Sequence, residues 1–299
     1  MTVERDYPLD RLTTIRAGGR ADIFARPRSE EELLDLLRSS AESGIAVEVV
    51  GSGSNLLVAD DGFRGMVLKL DGELARIDRD GSRLVCGGGV RLPSAAAKAA
   101  SWGLSGIEFG INIPGTVGGA VRMNANAYGG QLASVLETVR VCSGDGATER
   151  RAGELGFAYR SSSLRPGEVV SGASFRLASA DPQSVKATLA EMRGMRREAQ
   201  PAGIKTFGST FVNPSPDRSG GRTAGQLLEA AGCKGLQVGS ARFSPKHANF
   251  VENAGGATTA DVLALMAEGR RRVHERFGIA LEPEVQVLGS VAWPDDWEL

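Results

Sequence analysis

The sequence predicts an α+β protein with more than one domain. Strand-like and helix-like segments are mixed along the chain, with no internal repeat. The length of 299 residues allows two or three domains, each with its own core. A long helical pattern at residues 181–200 ends at Pro201, and proline rarely continues a helix. We therefore place a linker at Pro201, between an N-terminal region and a smaller C-terminal one.

Composition excludes several classes of protein. The net charge is −1, and the longest basic run, residues 270–272, is interpreted as an exposed helix face. No clustered basic surface is indicated, so no nucleic-acid partner is expected. No apolar run approaches the length of about 18 residues needed to span a membrane, and no signal peptide is seen. Cys86, Cys142 and Cys233 are widely spaced and form no metal-like group. They are interpreted as reduced, buried thiols of a cytoplasmic protein without a metal.

The first 70 residues predict a β-α-β arrangement. A strand ends near Phe24, and a helix follows it. Ser29 is the expected N-cap of that helix, and Glu32 stands at the capping-box position. Gly44 is expected to end the helix. Short apolar strands follow at residues 47–50 and 56–58.

The rest of the chain alternates strand and helix patterns. A strand at residues 281–289 is expected to return to an earlier sheet, and the tail with Trp293 and Trp297 is expected to be a surface feature. Further strands are predicted at residues 66–70, 84–86, 135–141 and 169–177, and helices at 93–102, 181–200, 223–231 and 259–277.

Two glycine-rich stretches indicate a cofactor. Residues 51–55 read GSGSN, and seven of the 25 residues at 106–130 are glycine, against an average usage of about 7%. A backbone without side chains lets its N–H groups converge on an anion. A single stretch of this kind is more often a set of tight turns between strands. Two stretches in one chain favour a large phosphorylated cofactor.

Two common nucleotide folds do not fit these loops. The first loop has the spacing GxGxxL, and a strand rather than a helix follows it. The dinucleotide fingerprint requires GxGxxG before a helix, and the GxxxxGK[ST] sequence of P-loops is missing. The sequence therefore predicts neither a Rossmann site nor a P-loop.

A set of motifs carries a family resemblance. GSGSN, IPGTVGGA followed by MNANAYG, YR-S, GSTF-NP, KHANF and LEPEV occur in this order over residues 9–289. Together they resemble the UDP-N-acetylenolpyruvoylglucosamine reductase family, also called UDP-N-acetylmuramate dehydrogenase or MurB. The segment between Arg160 and Pro201 is short, so the resemblance is to the shorter type that lacks an extra tyrosine-bearing substrate loop.

The resemblance implies a fold and a reaction. The fold is a two-part FAD-binding domain of the vanillyl-alcohol oxidase/p-cresol methylhydroxylase (PCMH) type plus a C-terminal α+β substrate-binding domain. Residues 1–70 and 71–200 would form the two FAD-binding parts, with residues 285–299 returning to the first, and residues 201–284 the substrate domain. The reaction is the NADPH-dependent, FAD-mediated reduction of UDP-N-acetylglucosamine enolpyruvate to UDP-N-acetylmuramate in peptidoglycan precursor synthesis.

Three catalytic residues follow from the matched motifs. This reaction needs a cation and hydrogen-bond partners at the substrate carboxylate, and a proton donor at the carbon that bears it. Arg160 of YR-S is the cation, and Ser209 of GSTF is the proton donor. Glu284, the second acid of LEPEV, stabilises the carboxylate and enolate together with Arg160, and Glu282 ranks below it. Without the resemblance, Arg160 would be interpreted as an ion-pair former, Ser209 as a turn residue and Glu284 as a solvated acid.

Binding residues are assigned in the same way. One FAD is expected to be held non-covalently, because neither histidine lies in the first 200 positions, where covalent attachment would be expected. NADPH is the co-substrate. Tyr128 and Asn213 match family positions that line the substrate pocket, while Arg222, Lys246 and His247 are candidates for the diphosphate of the UDP-sugar. For each of these five side chains a local or solvated role is at least equally consistent. The predicted FAD contacts are Gly51, Ser52, Gly53, Ser54, Asn55, Leu56, Ile113, Pro114, Gly115, Thr116, Gly118 and Gly119.

Two positions depart from the family pattern. Asn112 and Asn126 stand where the family more often has glycine. Asparagine tolerates left-handed backbone better than other non-glycine residues, so we expect the loop to keep its shape at a small cost in strain. Two other functions stay open at this point: a different FAD oxidoreductase or oxidase of the same fold, and a non-catalytic flavin-binding protein. The predicted partners are the UDP-sugar and NADPH, with no nucleic acid or membrane, and the chain is expected to be a monomer.

Overall fold

The computed structural model describes residues 1–199, 201, 203–294 and 297. Its contacts divide the chain into two units. Unit 1 comprises Met1–Arg5, Ile23–Ser52 and Gly65–Glu198, and unit 2 comprises Asp6–Asp22, Gly53–Arg64 and Ala199–Leu299. Because these units follow from contacts alone, the domain boundaries given above remain predictions.

The described residues contain both strands and helices, and their five-stranded sheet is antiparallel throughout, which confirms the α+β class. The strands are β1 (Thr2–Pro8), β2 (Arg20–Arg26), β3 (Val47–Val49), β4 (Leu56–Val58), β5 (Phe63–Leu68), β6 (Ile77–Asp80), β7 (Arg83–Gly87), β8 (Leu104–Ser105), β9 (Asn126–Ala127), β10 (Gly130–Gln131), β11 (Leu136–Ser143), β12 (Gly146–Arg151), β13 (Val169–Arg176), β14 (Ala178–Ser179), β15 (Gln237–Val238), β16 (Ala241–Phe243), β17 (Val251–Asn253) and β18 (Gln286–Leu288). The helices are α1 (Glu30–Glu42), α2 (Leu92–Ser101), α3 (Val117–Arg122), α4 (Pro182–Ala199), α5 (Pro216–Ser219), α6 (Ala224–Ala230) and α7 (Thr259–Phe277). Gln200, the last residue of the predicted helix at 181–200, lies outside the described residues.

The ends of α1 follow the sequence signals with one difference. The Ser29 hydroxyl accepts a hydrogen bond from the Glu32 N–H at 3.2 Å, and Gly44 adopts a φ of 65° just after the helix. The predicted capping box is wrong. The Glu32 carboxylate accepts from the N–H of Arg28, one residue before the cap, and from the N-terminal amine of Met1. The two carboxylate oxygens of Glu32 bond to these two groups, and α1 has no capping box.

Unit 1 is built on a five-stranded antiparallel sheet in the order β12-β11-β13-β7-β6. One face of this sheet carries fully buried side chains such as Val139 and Phe175, which pack with α2 in one core cluster. Ala95 and Ala99 of α2 are completely buried, so small side chains let the helix approach closely. Unit 1 also contains most residues of a second sheet, which has four strands in the order β1-β2-β5-β3.

Unit 2 has a three-stranded sheet, β15-β16-β17, packed with α6 and α7. Its core contains three fully buried phenylalanines at positions 207, 211 and 243. The α7 stripe predicted from the sequence faces this core, with Val262 and Leu265 fully buried. The last strand, β18, pairs in parallel with the much earlier strand β4.

The C-terminal tail differs from its prediction. Trp297 packs against the core of unit 2, and the buried Arg270 lies 5.0 Å from the centre of its ring. Arg270 donates one hydrogen bond to the carbonyl of Trp297 and another to the carbonyl of Leu281. The expected surface location is therefore wrong for Trp297, while Trp293 is 37% exposed. Residues 295, 296, 298 and 299 lie outside the described part of the chain.

The prediction of reduced, buried thiols is confirmed, since all three cysteines are free and buried. Burial raises the pKa of Cys86 to about 12 and that of Cys233 to about 11, so both stay protonated. Within the described residues, no helix has both the length and the apolar character that crossing a membrane requires.

Candidate active site

Arg160 lies at the tip of a tight turn in unit 1. Ala158 and Ser161 exchange two backbone hydrogen bonds of 3.2 Å, which leaves Tyr159 and Arg160 as the two turn residues. Arg160 has a φ of 55°, a left-handed conformation that usually belongs to glycine. Strained backbone of this kind occurs often at functional sites. The guanidinium is half-buried and lies 5.4 Å from the centre of the Tyr159 ring.

Asn124 anchors this turn. Its side-chain amide donates to the carbonyl of Ala158 at 3.1 Å, and its side-chain oxygen accepts from the N–H of Ala133 at 3.2 Å. Asn124 is 5% exposed and has a φ of 39°. The sequence reasoning missed this residue, although it lies in the quoted motif MNANAYG.

Arg122 holds the segment that follows the turn. Its guanidinium donates to the carbonyls of Leu164 and Glu168, and its own carbonyl accepts from the Ser162 hydroxyl at 2.8 Å. The buried carboxylate of Glu168 pairs with Arg150 and Arg165. Hydrogen bonds from Arg150 lower the pKa of Glu168 to about 2. The Arg160 turn thus projects from a firmly bonded loop.

In unit 2, Ser209 and Glu284 lie on neighbouring segments. Ser209 pairs with Phe250 on one side, and Phe211 pairs with Pro283 on the other. The N–H of Glu284 donates to the carbonyl of Thr210 at 2.8 Å. Both predicted catalytic side chains are half-buried, whereas Glu282 is exposed. This difference favours Glu284 over Glu282, as the motif does.

Asn249 fixes the strand-like segment that carries Ser209. Its side chain accepts from the N–H of Phe211 and donates to the carbonyl of the same residue, both at 2.9 Å. Its own carbonyl accepts from the N–H of Thr210 at 2.8 Å. The residue is 4% exposed. The role of Asn249 in the motif KHANF is therefore structural, and it was not predicted.

The end of the first glycine-rich loop contacts the same two segments. The Asn55 side chain donates to the carbonyl of Glu284 at 3.1 Å, and the Asn55 carbonyl accepts from the N–H of Gln286 at 3.1 Å. A Cβ atom added at Gly208 would lie 3.4 Å from the carbonyl of Ser54. Within unit 2, residues 54 and 55 of the predicted flavin loop therefore touch the segments of Ser209 and Glu284.

The start of this loop touches the second glycine-rich loop in unit 1. A Cβ atom at Gly51 would lie 2.4 Å from the hydroxyl of Thr116. That hydroxyl caps α3 by accepting from the N–H of Gly119. The Gly51 carbonyl accepts from the Lys69 ammonium at 3.2 Å. The two loops found in the sequence thus lie side by side, and only glycine allows this contact at position 51.

The second loop is less open than its glycine content indicates. The N–H groups of Gly115, Val117 and Gly118 all bond to protein carbonyls at 2.8 Å. The prediction that successive N–H groups of this loop converge on an anion is therefore wrong for these three. A Cβ atom at Gly115 would meet nothing within 4 Å, so bare backbone borders open space there.

The electrostatics around these loops suit a phosphorylated cofactor. Burial lowers the pKa of Lys69, and the nearby charges of Arg26 and Arg91 lower it further, while the carboxylate of Asp71 opposes this change. Clustered cations of this kind are stabilised by an anionic ligand. Bare backbone at Gly115 together with this cationic surface fits the diphosphate of FAD. Assignment of the individual FAD contacts stays a prediction.

Neither departure from the family pattern is strained. Asn112 ends a 3-10 helix, and Asn126 lies in β9. The described non-glycine residues with left-handed backbone in this stretch are Asn124 and Tyr128, the latter with a φ of 50°. The strain expected at Asn112 and Asn126 is therefore located elsewhere. Asn112 instead bonds to Tyr128 through its side chain.

The candidate diphosphate residues have local contacts. His247 accepts from the N–H of Asn249 through Nδ1 at 3.2 Å and packs against Gly225. Burial lowers the pKa of His247, which favours the neutral ring. Arg222 lies over the Phe277 ring at 5.1 Å, and Lys246 is exposed.

Asn213 caps a helix. Its side-chain oxygen accepts from the N–H of Ala224, the first residue of α6, at 3.0 Å. The contacts of Asn213 and of the diphosphate candidates with substrate remain predictions.

Comparison with known proteins first gives a class. Residues 21–151 match the family model described as "FAD binding domain", and residues 200–288 match "UDP-N-acetylenolpyruvoylglucosamine reductase, C-terminal domain". The N-terminal match and the two glycine-rich loops define an FAD-binding flavoprotein. The match at residues 200–288 covers the segments of Ser209 and Glu284.

Full-length relatives then give the family. A UDP-N-acetylenolpyruvoylglucosamine reductase 2 of Symbiobacterium thermophilum is 45% identical over 293 residues, 97% of this chain and 94% of the relative. A UDP-N-acetylenolpyruvoylglucosamine reductase of an Anaeromyxobacter species is 46% identical over 96% of this chain and 85% of the relative. The crystal structure of the Thermus caldophilus reductase superposes with a TM-score of 0.84 at 37% identity, covering 97% of this chain and 100% of that one.

The chain belongs to the UDP-N-acetylenolpyruvoylglucosamine reductase family. It is an FAD-containing oxidoreductase of peptidoglycan precursor synthesis, in a family whose co-substrate is NADPH. Family membership favours this enzyme over the two other functions left open by the sequence, a different FAD oxidoreductase or oxidase of the same fold and a non-catalytic flavin-binding protein.

Proposed function

We propose that this chain reduces UDP-N-acetylglucosamine enolpyruvate to UDP-N-acetylmuramate, with Arg160, Ser209 and Glu284 as its catalytic residues. The observation that best supports this proposal is the hydrogen-bonded arrangement in unit 2. There the segments of Ser209 and Glu284 are joined to each other and to Asn55 of the flavin loop. When bound, FAD supplies the redox chemistry, taking up hydride from NADPH and passing it to the alkene of the substrate.

Arg160 binds the substrate carboxylate. A guanidinium offers a planar pair of N–H donors that matches a carboxylate, and it keeps its charge at any physiological pH. Negative charge builds onto this carboxylate during reduction, so a fixed cation stabilises the transition state more than the ground state. The bonded loop around the Arg160 turn keeps the guanidinium in place before the substrate arrives.

Ser209 donates the proton to the carbon that bears the carboxylate. A hydroxyl is a weak acid, so the donation is driven by the negative charge that accumulates on this carbon. Asn249 and Asn55 hold the neighbouring backbone, which restricts the positions that the hydroxyl can reach. Glu284 stabilises the carboxylate and enolate next to it, and it can donate a hydrogen bond there only as a neutral acid.

NADPH and the UDP-sugar use one pocket in turn in this proposal, because the sequence carries no second nucleotide fingerprint. Initial rates at several concentrations of both should give parallel lines in double-reciprocal plots, with inhibition by the sugar at high concentration. Intersecting lines would rule out the shared pocket. We further propose a cytoplasmic monomer, which light scattering of the purified protein would test.

The purified protein tests the function as a whole. It should carry a yellow cofactor that acid precipitation releases into the supernatant, since FAD is held without a covalent bond. NADPH should bleach the flavin band, and the enolpyruvyl UDP-sugar should restore it with formation of UDP-N-acetylmuramate. A flavin that NADPH reduces but that only oxygen reoxidises would contradict the proposed substrate.

A further inference from the structure

Asn112 makes two hydrogen bonds through one nitrogen. It stands where the family more often has glycine, and it is 9% exposed. Its side-chain Nδ2 donates to the Tyr128 hydroxyl at 3.1 Å and to the backbone carbonyl of Met192 at 2.7 Å. These bonds connect the second glycine-rich loop, Tyr128 and α4 within unit 1. A glycine at position 112 could form neither of them.

The chemistry of the partners fixes the direction of these bonds. The carbonyl of Met192 can only accept, so the amide nitrogen of Asn112 must face it. The Tyr128 hydroxyl contacts the same nitrogen and therefore also accepts. A phenol carries a single proton, and that proton is then left to donate to another group. Tyr128 is 41% exposed, so a ligand can reach it.

A cation lies near the phenol. Arg196 follows Met192 by four residues on α4, and residues with this spacing share one face of a helix. Arg196 is half-buried, and burial lowers its pKa. The Tyr128 side chain lies within electrostatic range of this guanidinium. Among the ion pairs formed by the described residues, none joins Arg196 to a carboxylate.

We propose that Asn112 is a positioning residue that makes the Tyr128 hydroxyl a hydrogen-bond donor to a ligand phosphate, with Arg196 supplying the charge. The ligand class is a nucleoside diphosphate, the chemistry that the UDP-sugar and NADPH share. The inference rests on the proposed function and deepens it, because it assigns a binding role to a residue that departs from the family pattern.

The test compares variants that differ in hydrogen-bond direction. Tyr128→Phe removes the hydroxyl. Asn112→Asp replaces the donor by an acceptor, so that the phenol proton turns inward to the carboxylate. Each should weaken ligand binding about tenfold, the effect of losing one hydrogen bond to a charged group. Tyr128→Phe combined with the uncharged change Asn112→Gly should bind no more weakly than Tyr128→Phe alone, because both changes act on the same bond.

The readout separates the two ligands. Stopped-flow absorbance gives an apparent dissociation constant for NADPH from flavin reduction and one for the enolpyruvyl UDP-sugar from reoxidation, on holoenzyme with matched FAD content. Weaker binding of both ligands supports a shared diphosphate site, and weaker binding of one identifies it as the source. The limiting rate of each step should not change, since neither residue touches the reacting atoms in this proposal. Asn126→Asp is the matched control for Asn112→Asp, with the same change two residues before Tyr128, and it should bind both ligands normally.

Three results would overturn the inference. Unchanged affinity for both ligands in Tyr128→Phe means that the hydroxyl donates to neither. Weaker binding in Asn112→Asp but not in Tyr128→Phe means that Asn112 does not act through the Tyr128 hydroxyl. Additive losses in the double variant mean that the two residues act separately. Asn112→Gly offers a variant without a buried charge if Asn112→Asp does not fold. Failure of the wild type to use the UDP-sugar would contradict the proposed function, yet the NADPH measurement would still test Asn112.

Discussion

The turn that carries Arg160 allows its backbone and its side chain to be tested separately. Both Arg160→Ala and Arg160→Gly remove the guanidinium, so both should lose reduction of the enolpyruvyl substrate. Only glycine relieves the left-handed φ of 55°, which costs a residue with a Cβ atom about 1–2 kcal/mol. Glycine loses about 0.5–1 kcal/mol through its larger entropy in the unfolded chain. The glycine variant should therefore be more stable than the alanine variant by about 1 kcal/mol.

The assay is denaturant unfolding of both variants at matched FAD content. The adjacent turn residue is the control, because Tyr159 is not among the residues with positive φ. There the order should reverse, with Tyr159→Gly less stable than Tyr159→Ala by about 0.5–1 kcal/mol. An Arg160→Ala variant as stable as Arg160→Gly, or more stable, would refute the reasoning that this turn is strained.

Two further predictions concern the cofactor and the pH dependence. Gly115→Ala adds a Cβ that meets nothing in the protein within 4 Å. It should lower FAD affinity, measured by fluorescence titration of the apoprotein, without changing the stability of the apoprotein. Gly153→Ala, at an equally open position, is the control and should change neither quantity. Glu168 has its pKa lowered from 4.5 to about 2 by Arg150, so it stabilises the fold above pH 4.5, and this contribution, at most about 3 kcal/mol, is lost as the pH falls toward 2. Glu168→Gln should therefore reduce the loss of stability on acidification, measured by circular dichroism. Replacing the exposed Glu149 by Gln should leave this pH dependence unchanged. Equal acid sensitivity of wild type and Glu168→Gln would contradict the assignment.

Local signals in the sequence were sufficient where one residue type determines one structure. Ser29 and Gly44 bound α1 as expected, because a cap depends only on neighbouring backbone. Composition indicated both glycine-rich loops, and a close approach such as that of Gly51 to Thr116 explains one of their glycines, since it excludes a Cβ atom. The contact between the two loops was not predicted.

Long-range hydrogen bonds were not accessible to the same reasoning. Asn249 bonds to Phe211 across 38 residues, and Asn124 bonds to Ala158 across 34. Neither pair leaves a periodic pattern, so an asparagine in a motif is not distinguished from a ligand-binding residue. Asn213 shows the converse, because a predicted substrate residue caps a helix. The prediction of strain at Asn112 was wrong for a related reason. Asn112 lies in a 3-10 helix without a positive φ, and its side-chain amide bonds to the distant Tyr128 hydroxyl.

Ser209 provides the most direct test of the catalytic proposal. Because the proton is needed only after hydride leaves the cofactor, NADPH should bleach the flavin of the Ser209→Ala variant at nearly the normal rate. Reoxidation by the enolpyruvyl UDP-sugar should slow about 10²–10⁴-fold, the usual contribution of a positioned acid. Ser209→Cys should recover part of this loss, since a thiol keeps a transferable proton in nearly the same place. Stopped-flow absorbance of the two half-reactions, on protein shown to hold its FAD, measures both rates. Selective slowing of reoxidation is the predicted result, and equal slowing of both steps, or of neither, would contradict the assignment of Ser209 as the acid.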